Sequence, residues 1–303
     1  MQILVTGYKG FIGSHLYRRL QELGHDVVGY DYDESHGCTP YVAVYDWVIH
    51  VGAISSTTER DVDKIFEYNY DFSIRLFREC HKYSVNMQYA SSASVYGEPD
   101  SVPIPESARL DPISPYGQTK LMIETILHDY ARAYDIPSIC FRYFNAAGAE
   151  PKNRDLGQEP DATHIVARVL EASMRNKPFA LNGDDYPTPD GSCIRDYVHV
   201  WDIAQAHIKG AEYLETARPD PAGHIFNLGT NKGISNLEIV NYVKNKYGLA
   251  KFSVTERREG DPAQLIADAT RARETLHWIP EYSYLETIVT SAYFWYLTQQ
   301  TRH

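Results

Sequence analysis

The chain opens with Gln2-Ile3-Leu4-Val5-Thr6-Gly7-Tyr8-Lys9-Gly10-Phe11-Ile12-Gly13. Residues 2–6 are a short apolar run, as expected for a strand that is buried on both faces. The three glycines are followed by leucines at helical spacing that stop at Gly24, which predicts a helix with a glycine C-cap. Because residues 26–31 then read as a second strand, this stretch predicts a strand–helix–strand unit with a glycine loop at its first turn.

Gly7, Gly10 and Gly13 predict a dinucleotide-binding turn. In such a site the turn is tight, the backbone approaches a pyrophosphate closely, and the phosphate lies at the positive end of the helix. The spacing is G-x-x-G-x-x-G rather than G-x-G-x-x-G, and an ordinary strand–helix turn can carry the same glycines. Asp31 strengthens the dinucleotide interpretation, because a carboxylate there binds a ribose 2′-hydroxyl and repels a 2′-phosphate. NAD is therefore favoured over NADP, and Lys9 in the loop keeps NADP as the alternative.

Strand and helix patterns alternate up to Tyr143, which predicts an α/β fold with a Rossmann-like, doubly wound parallel sheet. Beyond Gly148, polar loops separate shorter elements. We therefore expect an NAD-binding domain over residues 1–149 and a smaller mixed α/β substrate lobe over residues 150–303, some segments of which return to the sheet. The predicted elements after the second strand are strands at 47–51, 85–90 and 138–143 and helices at 63–83 and 115–134.

The segment between the second and third predicted strands is short. Only residues 32–46 are available there, whereas a crossover alone takes at least about 10–12 residues. We therefore expect the β–α unit after Asp31 to be abbreviated.

Composition limits the partners of this chain. Of its 303 residues 43% are hydrophobic and 23% charged, which is ordinary for a globular protein. The net charge of −11 counts against nucleic acid or an anionic membrane as a partner, so a phosphorylated substrate would need locally gathered arginines. No apolar run reaches the ~18 residues of a membrane span, and the first residues lack the apolar core of a signal peptide.

The cysteines and histidines indicate neither disulfides nor a metal. The four cysteines are too far apart for a disulfide scaffold or a zinc finger, so we expect a cytoplasmic protein. His199 and His207 lack further ligands at a suitable spacing and are expected to be structural. The cysteines are Cys38, Cys80, Cys140 and Cys193.

Tyr116 and Lys120 place a phenol and an ammonium one helical turn apart. A nearby lysine favours the phenolate, so we expect the pKa of Tyr116 to lie below its usual value of about 10. Two other Y-x-x-x-K pairs, which begin at Tyr242 and Tyr247, are expected to be solvated pairs. The first pair alone follows a strand that ends in small hydroxyl residues, among which Ser92 could bond the same substrate oxygen as Tyr116.

These motifs resemble the extended short-chain dehydrogenases/reductases that act on nucleotide sugars. The resemblance rests on Gly7 to Gly13, on Ser91-Ser92-Ala93-Ser94-Val95-Tyr96-Gly97 and on Tyr116 with Lys120. Within that group the chain is similar to the UDP-galactose (UDP-glucose) 4-epimerases over nearly its whole length. The segments that carry this resemblance are Arg142-Tyr143-Phe144-Asn145-Ala146-Ala147-Gly148-Ala149, residues 183–200 (GDDYPTPDGSCIRDYVHV) and Arg257-Arg258-Glu259-Gly260-Asp261-Pro262.

The resemblance implies NAD as the cofactor, a UDP-hexose as the substrate and a homodimer. Tyr116 would accept and donate the proton, Lys120 would bind the nicotinamide ribose, and Ser92 would assist at the sugar O4. The implied cofactor-binding residues are Gly7, Gly10, Phe11, Ile12, Gly13, Asp31, Tyr32, Val51, Gly52, Ala53, Asn69, Ala90, Tyr116, Lys120 and Tyr143. The implied substrate-binding residues are Ser92, Ala93, Ser94, Tyr116, Asn145, His164, Ile165, Arg195, Arg258, Asp261 and Leu265.

The implied reaction is a 4-epimerisation without net redox change. Sugar C4 would be oxidised, the 4-keto sugar would turn over in the pocket, and C4 would be reduced on its other face. A firmly anchored UDP and a loosely held sugar would assign binding energy to the part that does not react. Leu265 matches a position that limits room for a 2-N-acetyl group, and because it is smaller than an aromatic residue, UDP-GlcNAc and UDP-GalNAc stay open as further substrates.

Two segments depart from the 4-epimerase pattern. The short segment 32–46 removes an acidic part near adenine. Ser55 stands where 4-epimerases often carry a lysine near the cofactor phosphates, and His50 to Glu59 is more similar to the ADP-heptose 6-epimerases. The alternatives are therefore such a 6-epimerase, with Lys152 as its second base, and a dinucleotide-binding regulator without turnover, which would tend to lose the Tyr116 pair.

Overall fold

The computed structural model describes residues 1–32, 38–55, 59, 61–152, 155–159, 162–217, 224–248, 251–258 and 260–300. Parts of three segments named above lie outside these residues. They are 33–37 in the short segment 32–46, 56–58 in the segment from His50 to Glu59, and Glu259 in the segment from Arg257 to Pro262.

Thirteen strands and nine α-helices occur in the described part of the chain. The strands are β1 (Gln2–Thr6), β2 (Asp26–Tyr30), β3 (Trp47–His50), β4 (Asn86–Ser92), β5 (Ser138–Tyr143), β6 (Asn145–Ala147), β7 (Phe179–Asn182), β8 (Ile194–Arg195), β9 (Tyr197–His199), β10 (His224–Leu228), β11 (Ile234–Ser235), β12 (Phe252–Thr255) and β13 (Gln264–Leu265). The helices are α1 (Phe11–Glu22), α2 (Val62–Ile65), α3 (Phe72–Tyr83), α4 (Pro115–Tyr134), α5 (Ile165–Met174), α6 (Val200–Ala217), α7 (Asn236–Tyr247), α8 (Thr270–Leu276) and α9 (Leu285–Gln300).

A six-stranded sheet in the order β10-β5-β4-β3-β1-β2 forms the centre of the fold. Every pairing in it is parallel. The apolar runs seen in the sequence are buried because helices cover both faces, and β5 is buried along its whole length. These observations confirm the predicted doubly wound α/β sheet.

The sheet ends at β2, which confirms the abbreviated β–α unit. Strand β1 lies between β2 and β3, so the chain crosses over β1 within residues 31–46. The described portions of that segment, 31–32 and 38–46, contain no helix and add no strand beyond β2.

The predicted helix over 63–83 is interrupted by a π turn. Helix α2 begins after Asp61, whose side chain accepts a hydrogen bond of 3.0 Å from the Lys64 N–H. Residues Phe66–Asp71 then form the π turn, and α3 continues from Phe72. A π turn within an α-helix often marks a functional site, and this one contains Asn69.

The second half of the chain builds small sheets around a separate core. Strands β7 and β12 pair in parallel, β11, β8 and β13 form a three-stranded sheet, and β6 pairs with β9. Helices α5, α7 and α9 enclose this core. Strand β10 joins the central sheet, and α6 packs on α1. A domain division after residue 149 stays a prediction. No helix in the described ranges combines the length and the apolar character that a membrane crossing requires.

Candidate active site

A crevice of about 1000 Å³ runs along the carboxyl ends of β1, β3, β4 and β5. It lies where the strand order reverses, between β1 and β3, which is where open α/β sheets bind ligands. Every expected cofactor and substrate residue except Asn69 lines it. Side chains from distant parts of the chain therefore meet in one place.

The glycine loop presents backbone rather than side chains to the crevice. Gly7 has a φ of +76°, and a Cβ at Gly13 would lie 2.0 Å from the Gly7 oxygen. Helix α1 begins after Gly10, and within the described part of the chain no side chain caps its first turn. The uncapped N–H groups and the positive end of the helix dipole suit a pyrophosphate. The residues present therefore fit a dinucleotide such as NAD.

Asp31 lies beside this loop, immediately after β2. Its carboxylate accepts a hydrogen bond of 3.2 Å from the Lys9 backbone N–H. Partial burial raises the pKa of Asp31 above its ordinary value, while the Lys9 contact opposes the shift. The carboxylate is thus placed to accept hydrogen bonds from a ribose bound next to the loop.

Asn69 is buried behind the crevice wall and is not among its lining residues, so its contact with the cofactor stays a prediction. Its side-chain oxygen accepts a hydrogen bond of 2.8 Å from the Ile54 N–H, and its amide donates to the Ile54 oxygen at 3.1 Å. The amide also donates to the Thr119 hydroxyl at 3.3 Å. Because these bonds occupy the amide, Asn69 connects the lining residue Ile54 to α4.

Helix α4 brings Tyr116 and Lys120 to the end of β4. The Ser114 hydroxyl caps the helix by accepting a hydrogen bond of 3.1 Å from the Gly117 N–H. Gly117 permits a close approach, since a Cβ there would lie 2.6 Å from the Ser94 oxygen. Both functional side chains are buried. The three predicted catalytic side chains, with Ser92 at the end of β4, therefore lie together in the crevice wall.

The electrostatics differ from the expectation. Burial raises the pKa of Tyr116 above 10.0, and the neighbouring Ser92 hydroxyl acts to lower it. Lys120 donates to the Ala90 oxygen at 2.6 Å and lies 5.7 Å from the centroid of the Tyr116 ring. Burial also lowers the pKa of Lys120 to about 7. The predicted lowering of the Tyr116 pKa is wrong, because burial of the phenol outweighs the effect of the Ser92 hydroxyl.

Tyr143 is fixed in the wall of the crevice by a buried histidine. Its hydroxyl is hydrogen-bonded to His207 Nε2, and His207 Nδ1 is 2.6 Å from the Gln88 side-chain oxygen. Burial lowers the pKa of His207 to about 3.

His199, the other histidine considered as a metal ligand, is also buried. Its Nε2 is 3.1 Å from the Ser291 hydroxyl, and burial lowers its pKa to about 3. Both histidines are neutral parts of the scaffold.

Asp261 gathers two of the predicted arginines at the other end of the crevice. Arg258 bonds both of its oxygens, at 2.9 and 2.6 Å, and Arg195 lies 3.6 Å from one of them. The pKa of His164, at the N-cap of α5, is lowered by burial and further by the nearby Arg258 cation. Two guanidinium groups and one carboxylate leave a net positive charge with planar donors, which suits a diphosphate.

Arg168 is a lining residue that the sequence analysis missed. It lies one helical turn after His164 on α5, and its guanidinium is 5.4 Å from the centroid of the Phe179 ring. No acidic side chain among the described residues pairs with it. The spacing from His164 and Ile165, four and three residues, was the signal that could have found it.

Lys152, the second base of the alternative 6-epimerase, lies outside the crevice. It is exposed, and its backbone N–H donates to the Glu150 side chain at 3.1 Å. The described residues also contain no group of three His, Cys, Asp or Glu side chains arranged to hold a metal ion.

Comparison with known proteins yields consistent matches. Residues 3–229 match the NAD dependent epimerase/dehydratase family. The UDP-glucose 4-epimerase of Halalkalibacterium halodurans is 38% identical, and the match covers 98% of this chain and 96% of that protein. A crystal structure of the UDP-glucose 4-epimerase from Stenotrophomonas maltophila, with bound NAD and formylated UDP-arabinopyranose, has a TM-score of 0.92 and 30% identity over 100% of both chains. The UDP-glucose 4-epimerase from Bifidobacterium longum, in complex with NAD⁺ and UDP, has a TM-score of 0.89 and 29% identity over 100% of both chains.

Proposed function

Since the chain belongs to the NAD dependent epimerase/dehydratase family, we propose that it epimerises a UDP-hexose at C4 through Tyr116, Lys120 and Ser92. It is an isomerase of the UDP-glucose 4-epimerase type, with NAD as its cofactor. One observation supports the assignment of the residues most directly. The three side chains share a single crevice with the glycine loop and with the Asp261 cluster.

The half of the crevice next to the glycine loop would hold the cofactor. The N–H groups at the start of α1 would bind its pyrophosphate, Asp31 its adenosine ribose, and Lys120 its nicotinamide ribose. Bound NAD⁺ would supply the oxidation of sugar C4 and its reversal.

Tyr116 moves the proton of the sugar O4. Because burial raises its pKa, the phenol is neutral unless neighbouring groups favour the phenolate. The Ser92 hydroxyl acts in that direction, and the charged form of Lys120 does so as well. A positioned acid–base group of this kind contributes about 10²–10⁴ in rate.

One phenol is sufficient for both half-reactions. O4 gives up its proton when C4 is oxidised and takes it back when C4 is reduced, so Tyr116 acts first as a base and then as an acid. No second base is required, which agrees with the exposed position of Lys152.

The nucleotide end supplies the binding energy. Arg195 and Arg258 offer planar donors to the diphosphate, and Asn145, His164 and Ile165 line the same part of the crevice. Ser92, Ser94 and Leu265 are the expected residues on the sugar side. An anchored UDP and few polar contacts to the sugar allow the 4-keto ring to turn over.

We also propose a homodimer in the cytoplasm. The outer ends of α3 and α4 carry an aromatic group in which Tyr134 stacks on His81 at 3.7 Å while about half exposed. Aromatic side chains are enriched at protein interfaces. Light scattering of the native protein and of Tyr134→Glu tests the dimer, which the variant should weaken.

The cysteines support the proposed location in the cytoplasm. All four are described and are free thiols, as suits a reducing compartment.

The assay is incubation of the purified protein with UDP-galactose without added NAD. We expect UDP-glucose in the product, detected by ion-pair chromatography, and NAD in the supernatant after denaturation. UDP-GlcNAc, UDP-GalNAc and ADP-heptose serve as parallel substrates. No conversion of UDP-galactose even with added NAD, or inversion of ADP-heptose at C6, would contradict the proposal.

A further inference from the structure

A buried ion pair lies behind the catalytic side chains. Arg142 Nε is 3.0 and 3.2 Å from the two carboxylate oxygens of Glu124, and one of its terminal nitrogens is 2.7 Å from Oε2. The two side chains are 1% and 3% exposed, and neither lines the crevice. Because desolvation of both charges offsets much of their attraction, packed hydrophobic residues are often as stable. Stability alone therefore does not explain this pair.

Glu124 connects the helix of the site to its strand. It follows Lys120 by one turn and Tyr116 by two turns on α4. Ser91 donates a hydrogen bond to its carboxylate, and Ser91 directly precedes Ser92 on β4. A single carboxylate thus joins the element that carries the phenol and the ammonium to the element that carries the hydroxyl.

Arg142 extends this connection to β5. It directly precedes Tyr143, whose ring lines the crevice. One terminal nitrogen of Arg142 donates to the Tyr96 hydroxyl at 2.9 Å and to the Glu106 backbone oxygen at 3.0 Å. The Tyr96 hydroxyl in turn donates to the Asn227 side chain on β10 at 2.7 Å. The ion pair is therefore the centre of a network that spans β4, β5, α4 and β10.

Glu124 also acts on the charge of Lys120. Burial lowers the pKa of Lys120, and the Glu124 carboxylate opposes that effect. Near neutral pH the ammonium therefore depends on this carboxylate for its charge. The titratable and charged groups that face Lys120 or Glu124 from the surrounding elements are Tyr116, Tyr89, Cys140, Arg142, Tyr96 and His50.

We propose that Glu124 is a positioning residue of the active site, which holds β4 and β5 against α4 through Ser91 and Arg142. From one turn along the same helix, its carboxylate also stabilises the Lys120 ammonium. The inference rests on the proposed function for its kinetic readout. Glu124 does not touch substrate. It acts through the groups that do.

The test compares Glu124→Gln, the double variant Glu124→Leu/Arg142→Met and the surface control Glu212→Gln. The first variant keeps the shape of the side chain and removes its charge. The double variant removes both charges of the pair, so that neither Glu124 nor Arg142 is left as a buried ion without its partner, and we expect the fold to be retained. The measurements are kcat, KM for UDP-galactose and the pH profile of kcat, together with titration of Lys120 by ¹³C NMR of lysine-labelled protein. Absence of one resonance in Lys120→Met assigns that signal.

We expect Glu124→Gln to lower kcat about ten- to a hundredfold through misplacement of the reacting groups, with KM within threefold of the native value. The alkaline limb of kcat and the Lys120 titration should both move to lower pH by about one unit, because a stabilising negative charge is gone. The double variant should melt near the native temperature. It should nevertheless show the same low kcat as Glu124→Gln and the same shift of the alkaline limb of its pH profile to lower pH. The surface control should behave as the native protein.

If the double variant has the native kcat and the alkaline limb of its kcat pH profile is unchanged, the proposal is overturned, since the pair would then be structural only. An unchanged Lys120 titration in Glu124→Gln would overturn it as well. If Glu124→Gln does not fold, the double variant alone decides. If the native protein does not convert UDP-galactose, the proposed function fails, while the Lys120 titration still decides the inference.

Discussion

The Lys120 ammonium donates a hydrogen bond of 2.6 Å to the backbone oxygen of Ala90. It also lies 4.6 Å from the centroid of the Tyr89 ring, so β4 holds the cation by two neighbouring residues. Helix α4 supplies the cation, but the sheet fixes its position relative to Ser92. The ammonium is thus bonded to the strand and lies 5.7 Å from the centroid of the Tyr116 ring, although the two side chains share a helix face.

Tyr116→Phe should lower kcat about 10²- to 10⁴-fold, because it removes the group that moves the O4 proton. Binding of NAD and UDP should change little, since the ring is kept. Initial rates with UDP-galactose and calorimetric titration with UDP provide the measurements. Tyr242→Phe is the matched control, because Tyr242 also belongs to a Y-x-x-x-K pair but bonds Lys246 on the outside of α7. Equal activity of the two variants would refute the role of Tyr116.

Asp31→Asn should weaken NAD about tenfold and reduce the discrimination against NADP. The carboxylate beside the glycine loop accepts ribose hydroxyls and repels a 2′-phosphate, and a charged hydrogen bond is worth about 1.5–3 kcal/mol. Dissociation constants of both dinucleotides, measured on stripped protein, test this. Asp26→Asn, at the exposed start of β2, should have no effect. An unchanged ratio of NAD to NADP affinity in Asp31→Asn would show that the ribose lies elsewhere.

Arg168→Gln should raise the KM for UDP-galactose about tenfold while kcat stays within twofold. Among the lining arginines of the described chain it is the one without an acidic partner, and loss of a half-buried charged contact to the nucleotide costs about 1.4 kcal/mol. Steady-state kinetics separate the two constants. Arg175→Gln, at the exposed end of the same helix, is the control. A fall in kcat without a change in KM would argue against a role in binding.

Leu265→Tyr should lower kcat/KM for UDP-GalNAc by at least about tenfold and leave UDP-galactose nearly unchanged. Leu265 lines the crevice beside the sugar side, and a larger ring would occupy the volume that a 2-N-acetyl group needs. The two substrates compared in the same preparation control for folding. Loss of both activities together would mean that the ring blocks the whole site.

The protein should lose stability as the pH falls below about 6.5, the ordinary pKa of histidine. Burial lowers the pKa of His50, His199 and His207 to about 3 each, so the unfolded chain binds protons that the native chain does not. Each group then makes the free energy of unfolding fall by up to about 1.4 kcal/mol per pH unit between the two pKa values. Urea midpoints at pH 7.5, 6 and 5 test the slope.

His199→Gln should reduce the dependence of the free energy of unfolding on pH by the contribution of one histidine, which is up to about 1.4 kcal/mol per pH unit. His277→Asn should leave it unchanged, because His277 is exposed and its positive φ suits asparagine. A urea midpoint independent of pH over this range would show that the buried histidines are charged in the native protein.

The sequence alone predicted those features of the fold and of the site that are formed by residues close together in the chain. The glycine loop, α1 and Asp31 are close in the chain, and the spacing of Tyr116 and Lys120 places them on one helix face whatever surrounds them. The short segment 32–46 also predicted that a β–α unit would be abbreviated, because chain length alone limits what a crossover can contain. Such features depend on neighbours within one or two turns of backbone.

The tertiary structure decided what each group touches and therefore how it is charged. Asn69 is hydrogen-bonded to Ile54, Arg168 lines the nucleotide end of the crevice from α5, and Glu124 on α4 pairs with Arg142 on β5. The pKa of Tyr116 rises rather than falls because burial outweighs the Ser92 hydroxyl, which favours the phenolate. Desolvation and ion pairing depend on which distant elements pack against a side chain, and spacing along the chain does not determine this.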